Sequence, residues 1–170
     1  PTAASVRSSS GGVWEATVEN LIGIDLGPLG AVVSVVDHHR PVVVADERGR
    51  LHLPGGPDDL ETTLLRAKRA AEARLQRPVT GAVLVVPEYL QDRARNERRE
   101  LGRAVGLPLR RQLSRPVASL LGLSVDLDDT ERRYLTAHVG DGVASAAVAL
   151  VEDGIVELLS DSGPVPCPGP

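Results

Sequence analysis

The stretch Leu21-Ile22-Gly23-Ile24-Asp25-Leu26-Gly27-Pro28-Leu29-Gly30 leads directly into the apolar run Ala31-Val32-Val33-Ser34-Val35-Val36. Short β-branched runs on both sides of a glycine turn predict a strand, a turn and a second strand. Glycine permits positive φ and lets backbone N–H groups approach a ligand, so such a turn can hold a phosphate. The stretch therefore predicts either a simple β-hairpin or one half of a nucleotide site.

A second stretch, Tyr134 to Gly142, repeats this arrangement before the apolar run Val143 to Leu150. Asp25 and Gly27 of the first stretch correspond to His138 and Gly140 of the second, with the same spacing. Two such turns that face each other would enclose a nucleotide from both sides. The pairing favours a phosphate site over two unrelated hairpins.

The composition describes a globular chain with an unusual core. With 170 residues and 42% hydrophobic content, the chain can bury one core and fits one domain or slightly more. Aromatic residues make up only 2%, so Val, Leu, Ile and Ala must build that core. The net charge of −4 and the scarcity of rings for base stacking give no reason to expect nucleic acid as a partner.

The cellular setting is predicted from the cysteine content and from hydropathy. Cys167 is the sole cysteine, so an internal disulfide cannot form, which fits a reducing cytoplasm. No apolar run approaches the roughly 20 residues that cross a bilayer, and no basic-then-apolar leader is present, so we expect no membrane association. The first residue is Pro1 rather than Met, which suggests a processed chain or a piece of a longer one.

Periodicity and breaker residues predict an α/β fold. Between a flexible N-terminus (1–12) and a flexible Pro/Gly tail (162–170), the order is βββαβαβα and then three more strands. The predicted elements are strands at 21–26, 30–37 and 41–45, a helix from about 58 to 75, a strand at 81–86, a helix at 92–105, a strand at 109–113, a helix at 116–123, and strands at 134–139, 144–152 and 155–160.

Two features of this order carry the domain interpretation. The run Gly81 to Val86 is apolar throughout, which predicts a central, parallel strand that is buried on both faces. The last three strands form a meander with no following helix. We therefore predict one complete layer at 13–125 and an unfinished second unit at 126–161, after an acidic loop.

Four stretches in this order resemble the DnaK-type heat-shock 70-kilodalton chaperones, a family of the actin-like ATPase superfamily. Gly23 to Gly27 is similar to the family's first phosphate motif, Pro78 to Asp92 to the approach to its next helix, and Leu101 to Leu107 to the end of that helix. Tyr134 to Gly163 resembles the second phosphate motif and its hairpin.

The resemblance implies a nucleotide-binding domain of two ribonuclease-H-like lobes, each of βββαβαβα type, with ATP and magnesium between them. This chain would hold the first lobe and the opening meander of the second. The family also inserts a small subdomain between the third strand and the first helix. Here only about Asp46 to Pro57 fills that position.

Several residues depart from the family's pattern. Pro28 and Leu29 replace two threonines, and His138 replaces an aspartate. The resemblance implies Glu-Pro before the third helix, but the chain has Arg115-Pro116, which substitutes a fixed positive charge for a carboxylate. No lysine matches the catalytic one, and Asp141 would repel phosphate. We predict no catalytic residues, no hydrolysis, and weak or lost binding of ATP with magnesium.

The residues that remain as candidate phosphate contacts are Asp25, Gly27, Gly30, Gly140 and Gly142. Asp25 is also the candidate magnesium ligand, because magnesium favours carboxylate and water oxygens.

Two other functions stay open. The first is a non-catalytic interaction module, because the meander leaves apolar residues that three strands cannot hide, including Val148, Leu150, Ile155 and Leu158. That segment would pack on the first lobe, on a second copy of the chain or on a protein partner. The other is a ribonuclease-H-like nuclease, in which Asp25, Glu61 or Glu72, and Glu88 would hold metal ions.

Overall fold

The computed structural model describes residues 6–7, 13–14, 20–27, 30–38, 40–87, 89–123, 130–140 and 142–167. Several residues on which predictions rest lie outside these ranges, namely Pro28, Leu29, Glu88 and Asp141. Most of the N-terminal segment 1–12, residues 168–170 of the C-terminal segment and residues 124–129 lie outside them as well.

The described residues form a mixed α/β structure with three helices, as predicted. In chain order the elements are β1 (Val6–Arg7), β2 (Val13–Trp14), β3 (Leu21–Gly27), β4 (Gly30–Asp37), β5 (Arg40–Val43), β6 (His52–Leu53), a 3₁₀ turn (Pro57–Asp59), α1 (Leu60–Leu75), β7 (Gly81–Val86), α2 (Asp92–Ala104), β8 (Leu109–Ser114), α3 (Arg115–Gly122), β9 (Arg132–Gly140), β10 (Val143–Glu152), β11 (Ile155–Asp161) and β12 (Val165–Pro166).

The main sheet has the strand order β5-β4-β3-β7-β8, and β6 pairs with the start of β4. β3, β4 and β5 form an antiparallel meander, whereas β7 is parallel to both β3 and β8. The apolar run of β7 is therefore central and parallel, which confirms the prediction made for Gly81 to Val86. Its side chains are buried or half-buried along its whole length.

The core of the main sheet lies between its strands and α1. Leu60, Leu64, Ala67 and Ala71 recur on one face of α1, and all four are buried. They pack with β3, β4 and β7 through aliphatic side chains such as Ile24. This packing holds β3 against α1.

The second sheet consists of β9, β10 and β11, and β12 pairs with the start of β10. One face of the sheet packs on α3, where Leu120, Ala149 and Val151 are fully buried. The sequence predicts that this meander packs on the first lobe, on a second copy of the chain or on a partner, and one of its faces packs on α3, a helix of the predicted first layer. Ala149 and Val151 of β10 are buried on this face. Val148 and Leu150, which we expected to need cover, alternate with them and point to the other face, because successive side chains of a strand point to opposite faces.

Both terminal segments contain strand pairing that the sequence did not predict. β12 lies within the segment 162–170, where we predict a flexible tail, and pairs antiparallel with Val143 and Ala144 of β10. The Cys167 N–H also donates to the Gly142 carbonyl at 2.8 Å. The start of β10 is not paired with β11. β12 pairs there instead and provides hydrogen-bond partners for the backbone groups of β10 on that edge. At the other end, β1 pairs with β2.

Among the described residues, no helix is both long enough and apolar enough to cross a membrane.

Candidate functional site

The two predicted turns are both two-residue hairpin connections. In the first, Gly27 of β3 pairs with Gly30 of β4. In the second, Gly140 of β9 pairs with Val143 of β10. The strand, turn and strand arrangement predicted for each stretch is therefore confirmed. The first hairpin belongs to the main sheet and the second hairpin to the second sheet.

The topology of the main sheet brings Asp25 close to Arg115. Asp25 of β3 lies beside Val85 of β7, which lies beside Leu113 of β8. Because these three strands are parallel, their carboxyl ends meet at one edge of the sheet. Arg115 begins α3 two residues after Leu113, so its side chain starts at the same edge.

The guanidinium of Arg115 lies beside the carboxylate of Asp25. Its Nη2 atom lies 3.5 Å from Oδ1 of Asp25 and donates a hydrogen bond to the Leu26 carbonyl at 3.1 Å. The Arg115 side chain is only 15% exposed, whereas that of Asp25 is 52% exposed. A largely buried guanidinium is thus held against the half-exposed carboxylate.

The same arginine also reaches the second sheet. Arg115 and His138 line a cavity of about 20 Å³ together with the hydroxyl-bearing residues Ser119, Thr136 and Ser145. Arg115 Nε and His138 Nε2 are both buried and have no hydrogen-bond partner within the described part of the chain. A cavity of this size can hold one water molecule that bridges such atoms, and it is too small for a phosphate group.

Two of the predicted glycines have structural reasons for their identity. Gly30 has φ of +124°, and a Cβ atom there would lie 2.1 Å from the Leu53 carbonyl oxygen of β6. Gly142 has φ of +71°, with open space around the position of a Cβ atom. The first glycine is required by the close approach of β6, and the second by the conformation of the turn.

The residues at this site do not fit magnesium. The described residues contain no group of three or more His, Cys, Asp or Glu side chains that could hold a metal ion. Asp25 is the one carboxylate among the predicted contacts, and the fixed charge of Arg115 lies beside it. A cation beside Asp25 would be repelled by the guanidinium, and among the described candidate contacts it would find a single carboxylate.

The acidic residues proposed for a nuclease site have other contacts or lie elsewhere. Glu72 Oε1 accepts a hydrogen bond from the Val79 N–H at 3.1 Å, which joins the end of α1 to the following segment. Glu61 is exposed in the first turn of α1. Glu88 is outside the described residues.

The sequence identified Arg115 and His138 as departures from the family's pattern, but neither residue was among the predicted phosphate or magnesium contacts. The structure brings them together on one small cavity and joins Arg115 to Asp25. The available signal was the position of Arg115-Pro116 directly after a strand that is parallel to β3, because residues at that edge of a parallel sheet converge.

Comparison with known proteins gives consistent matches. The profile of the family described as "Hsp70 protein" matches residues 57–167. The chain is 26% identical to the chaperone protein DnaK of Mycoplasma mycoides and 24% identical to those of Mycoplasmopsis pulmonis and Ureaplasma urealyticum. These alignments cover 85%, 85% and 86% of this chain and 32% of each relative, so the chain spans about a third of their length. Because the family profile covers well over half of its residues, the chain belongs to the Hsp70 family.

Proposed function

We propose that this chain is a degenerate nucleotide-binding lobe of the Hsp70 type, with a ribonuclease-H-like first layer and the opening strands of a second lobe. In this proposal it binds ATP weakly or not at all and does not hydrolyse it. The observation that carries the proposal is the placement of the Arg115 guanidinium 3.5 Å from the Asp25 carboxylate.

The chemistry of arginine supports the loss of hydrolysis. A guanidinium stays protonated at all accessible pH values and has no acceptor atom, so it cannot accept a proton from an attacking water. It also neutralises the carboxylate that the resemblance assigns to magnesium. Arg115 is 15% exposed and hydrogen-bonded to Leu26, so it does not leave this position at low cost.

A phosphate-release assay tests this function directly. The chain is incubated with ATP and magnesium beside two variants, Asp25→Asn and Arg115→Glu. We expect all three to release phosphate at the background rate, because restoring one carboxylate does not restore the missing lysine and threonines. Release by the unmodified chain that disappears in Asp25→Asn would show that the site is an active ATPase.

Calorimetric titration separates weak binding from no binding. Arg115→Glu removes the cation and places a carboxylate near Asp25, so we expect any heat that depends on magnesium to be larger in this variant than in the unmodified chain. Equal magnesium dependence in both proteins would show that Arg115 does not control the site.

A second candidate function is a non-catalytic interaction module, and the second sheet supports it. The face of this sheet that points away from α3 carries Leu135, Val139 and Ile155, which are 75%, 73% and 66% exposed. Light scattering over a concentration series, read with hydrogen exchange of residues 143–160, tests self-association through this sheet. A strictly monomeric chain whose strands exchange rapidly would exclude this candidate.

The nuclease remains the weakest candidate. It requires manganese-dependent cutting of a branched or hybrid duplex that is lost on changing Asp25 or Glu88. An absence of cutting under those conditions removes it.

A further inference from the structure

A second concavity lies on the opposite side of β4 from β3 and shares no residue with the Asp25 site. It has a volume of about 460 Å³ and is bounded by the segment that follows β5, by the end of β6 and by α1. This volume is typical of sites for small organic molecules.

The charge around this cavity is opposite to that of the whole chain. Four arginines and two acidic residues line the cavity, a formal excess of two positive charges, whereas the chain carries a net charge of −4. The arginines approach from two sides. Arg48 and Arg50 come from the turn after β5, and Arg66 and Arg69 lie one turn apart on the same face of α1.

One of the two acids is already used by the turn itself. Asp46 Oδ1 accepts hydrogen bonds from the N–H groups of Arg48 and Arg50 at 2.9 and 2.8 Å, and its Oδ2 atom accepts one from Arg50 Nε at 2.7 Å. Its charge is therefore matched by Arg50. The second acid, Glu47, remains against three other arginines.

The arginines that line the cavity differ in whether their guanidinium groups already have hydrogen-bond partners. Arg66 Nη1 donates to the Pro54 carbonyl at 2.8 Å, which fixes its guanidinium at the rim. For Arg48 and Arg69, no ion-pair partner is found in the portion of the chain that the structure describes. The guanidiniums of Arg48 and Arg69 are thus available to a ligand, and the guanidinium of Arg66 is already oriented by its hydrogen bond.

The remaining walls of the cavity are apolar. Leu53 is buried at its base, and Pro54 and Ala70 are half-buried beside it. We propose that this cavity binds a small organic phosphate, with the phosphate group on the arginines and the body of the molecule on the apolar walls. Arginine is suited to this ligand because its planar fork donates two hydrogen bonds to one phosphate group.

The probe for this proposal is phenyl phosphate, with inorganic phosphate and phenol as its two halves. We expect phenyl phosphate to bind more tightly than either half and to bind more weakly as salt is added. Chemical-shift changes in a two-dimensional NMR titration should fall on residues 45–54 and 66–70. Shifts confined to the Asp25 edge of the sheet would overturn the proposal.

Charge-reversal variants test which arginines are responsible. Arg69→Glu should weaken phenyl phosphate binding by about tenfold or more, the loss expected for one charge-assisted hydrogen bond. The matched control is Arg77→Glu, which makes the same charge change at an exposed position beyond the end of α1 and outside the cavity. Equal losses in the two variants would show only a general charge effect and would overturn the proposal.

Two further variants separate the loss of a positive charge from added repulsion, and this cavity from the Asp25 site. Arg69→Ala removes the charge without introducing a repulsive one and should weaken binding in the same direction as Arg69→Glu. Arg115→Ala should leave the affinity for phenyl phosphate unchanged, because Arg115 lines the other site. No binding of phenyl phosphate by the unmodified chain at millimolar concentration would contradict the proposal and leave the proposed function unaffected.

Discussion

The two sheets of this molecule are stabilised to very different extents. The main sheet and its helices bury a cluster of eighteen aliphatic residues, whereas the described cluster between α3 and the second sheet has three buried members, Leu120, Ala149 and Val151. The side chains of the central parallel strand of the main sheet are buried or half-buried along its whole length, whereas the described part of the second sheet packs on α3 through one face. Since burial of apolar area is the dominant favourable term in folding, most of the stability resides in the main sheet.

One short helix, α3, joins the two units. α3 begins with Arg115, which contacts the Asp25 edge of the main sheet, and Leu120 of the same helix is buried against β10. The second sheet therefore depends on a helix whose position is set by the first. Small sheets without a packed face are marginal in water, so this dependence is expected to be strong.

The largest expected effect comes from the core of the main sheet. Leu84 of β7 is completely buried, and Leu84→Ala should lower the free energy of unfolding by about 2–5 kcal/mol, through lost transfer energy and the cavity that remains. Urea denaturation followed by circular dichroism measures this. Leu123→Ala is the control, because Leu123 is 75% exposed and its loss should change stability by about 0.5 kcal/mol or less.

A smaller and more local effect is expected for Leu120→Ala. The cluster around Leu120 has few members and can partly collapse, so we expect a cost near the lower end of the range, about 2–3 kcal/mol. Hydrogen exchange should become faster in residues 143–151 and stay unchanged in residues 81–86. Uniformly faster exchange in both sheets would show that they unfold as one unit, and would contradict a difference in stability between them.

The elements of the main sheet could be predicted because each has a local signal. β7 is a continuous apolar run, and α1 repeats its apolar residues at helical spacing until Pro78. The two hairpins follow from glycine between β-branched runs. These signals depend on residues that are close in sequence, so no knowledge of the fold was needed.

The contacts that define the two sites depend on residues far apart in the chain. Asp25 and Arg115 are 90 positions apart, and only the parallel pairing of β3, β7 and β8 brings them together. The arginine cavity needs the turn after β5 to fold back over α1. The sequence predicts α3 but does not single it out as the element that covers the second sheet, because a helix of eight residues gives no sequence signal of its packing partner.

The two turn glycines give a further test of the difference between the sheets. Gly30→Ala should cost about 2 kcal/mol, because its φ of +124° is strained for alanine and the new Cβ would meet the Leu53 carbonyl of β6. Gly142→Ala has no such clash and should cost about 1 kcal/mol for the left-handed conformation alone. Thermal unfolding of both variants measures the two costs. Equal costs would indicate that β6 moves away easily and that this edge of the main sheet is as adaptable as the second sheet.

The smallest expected effect is an acid dependence at the turn after β5 of the main sheet. The hydrogen bond from the Arg50 side chain, followed by those from the backbone N–H groups of Arg50 and Arg48, lowers the pKa of Asp46 below its ordinary value of 3.8. A carboxyl whose pKa is lower in the folded state stabilises the fold above its unfolded-state pKa and loses that contribution as the pH falls through the folded-state value. Asp46→Asn should therefore be slightly less stable than the unmodified chain at pH 7, and the difference should shrink as the pH falls below 3.8. Glu47→Gln is the control, because it removes a neighbouring exposed carboxylate that makes none of these three hydrogen bonds. A difference between Asp46→Asn and the unmodified chain that stays constant from pH 7 to pH 2 would assign the effect to the shape of the turn and not to its charge.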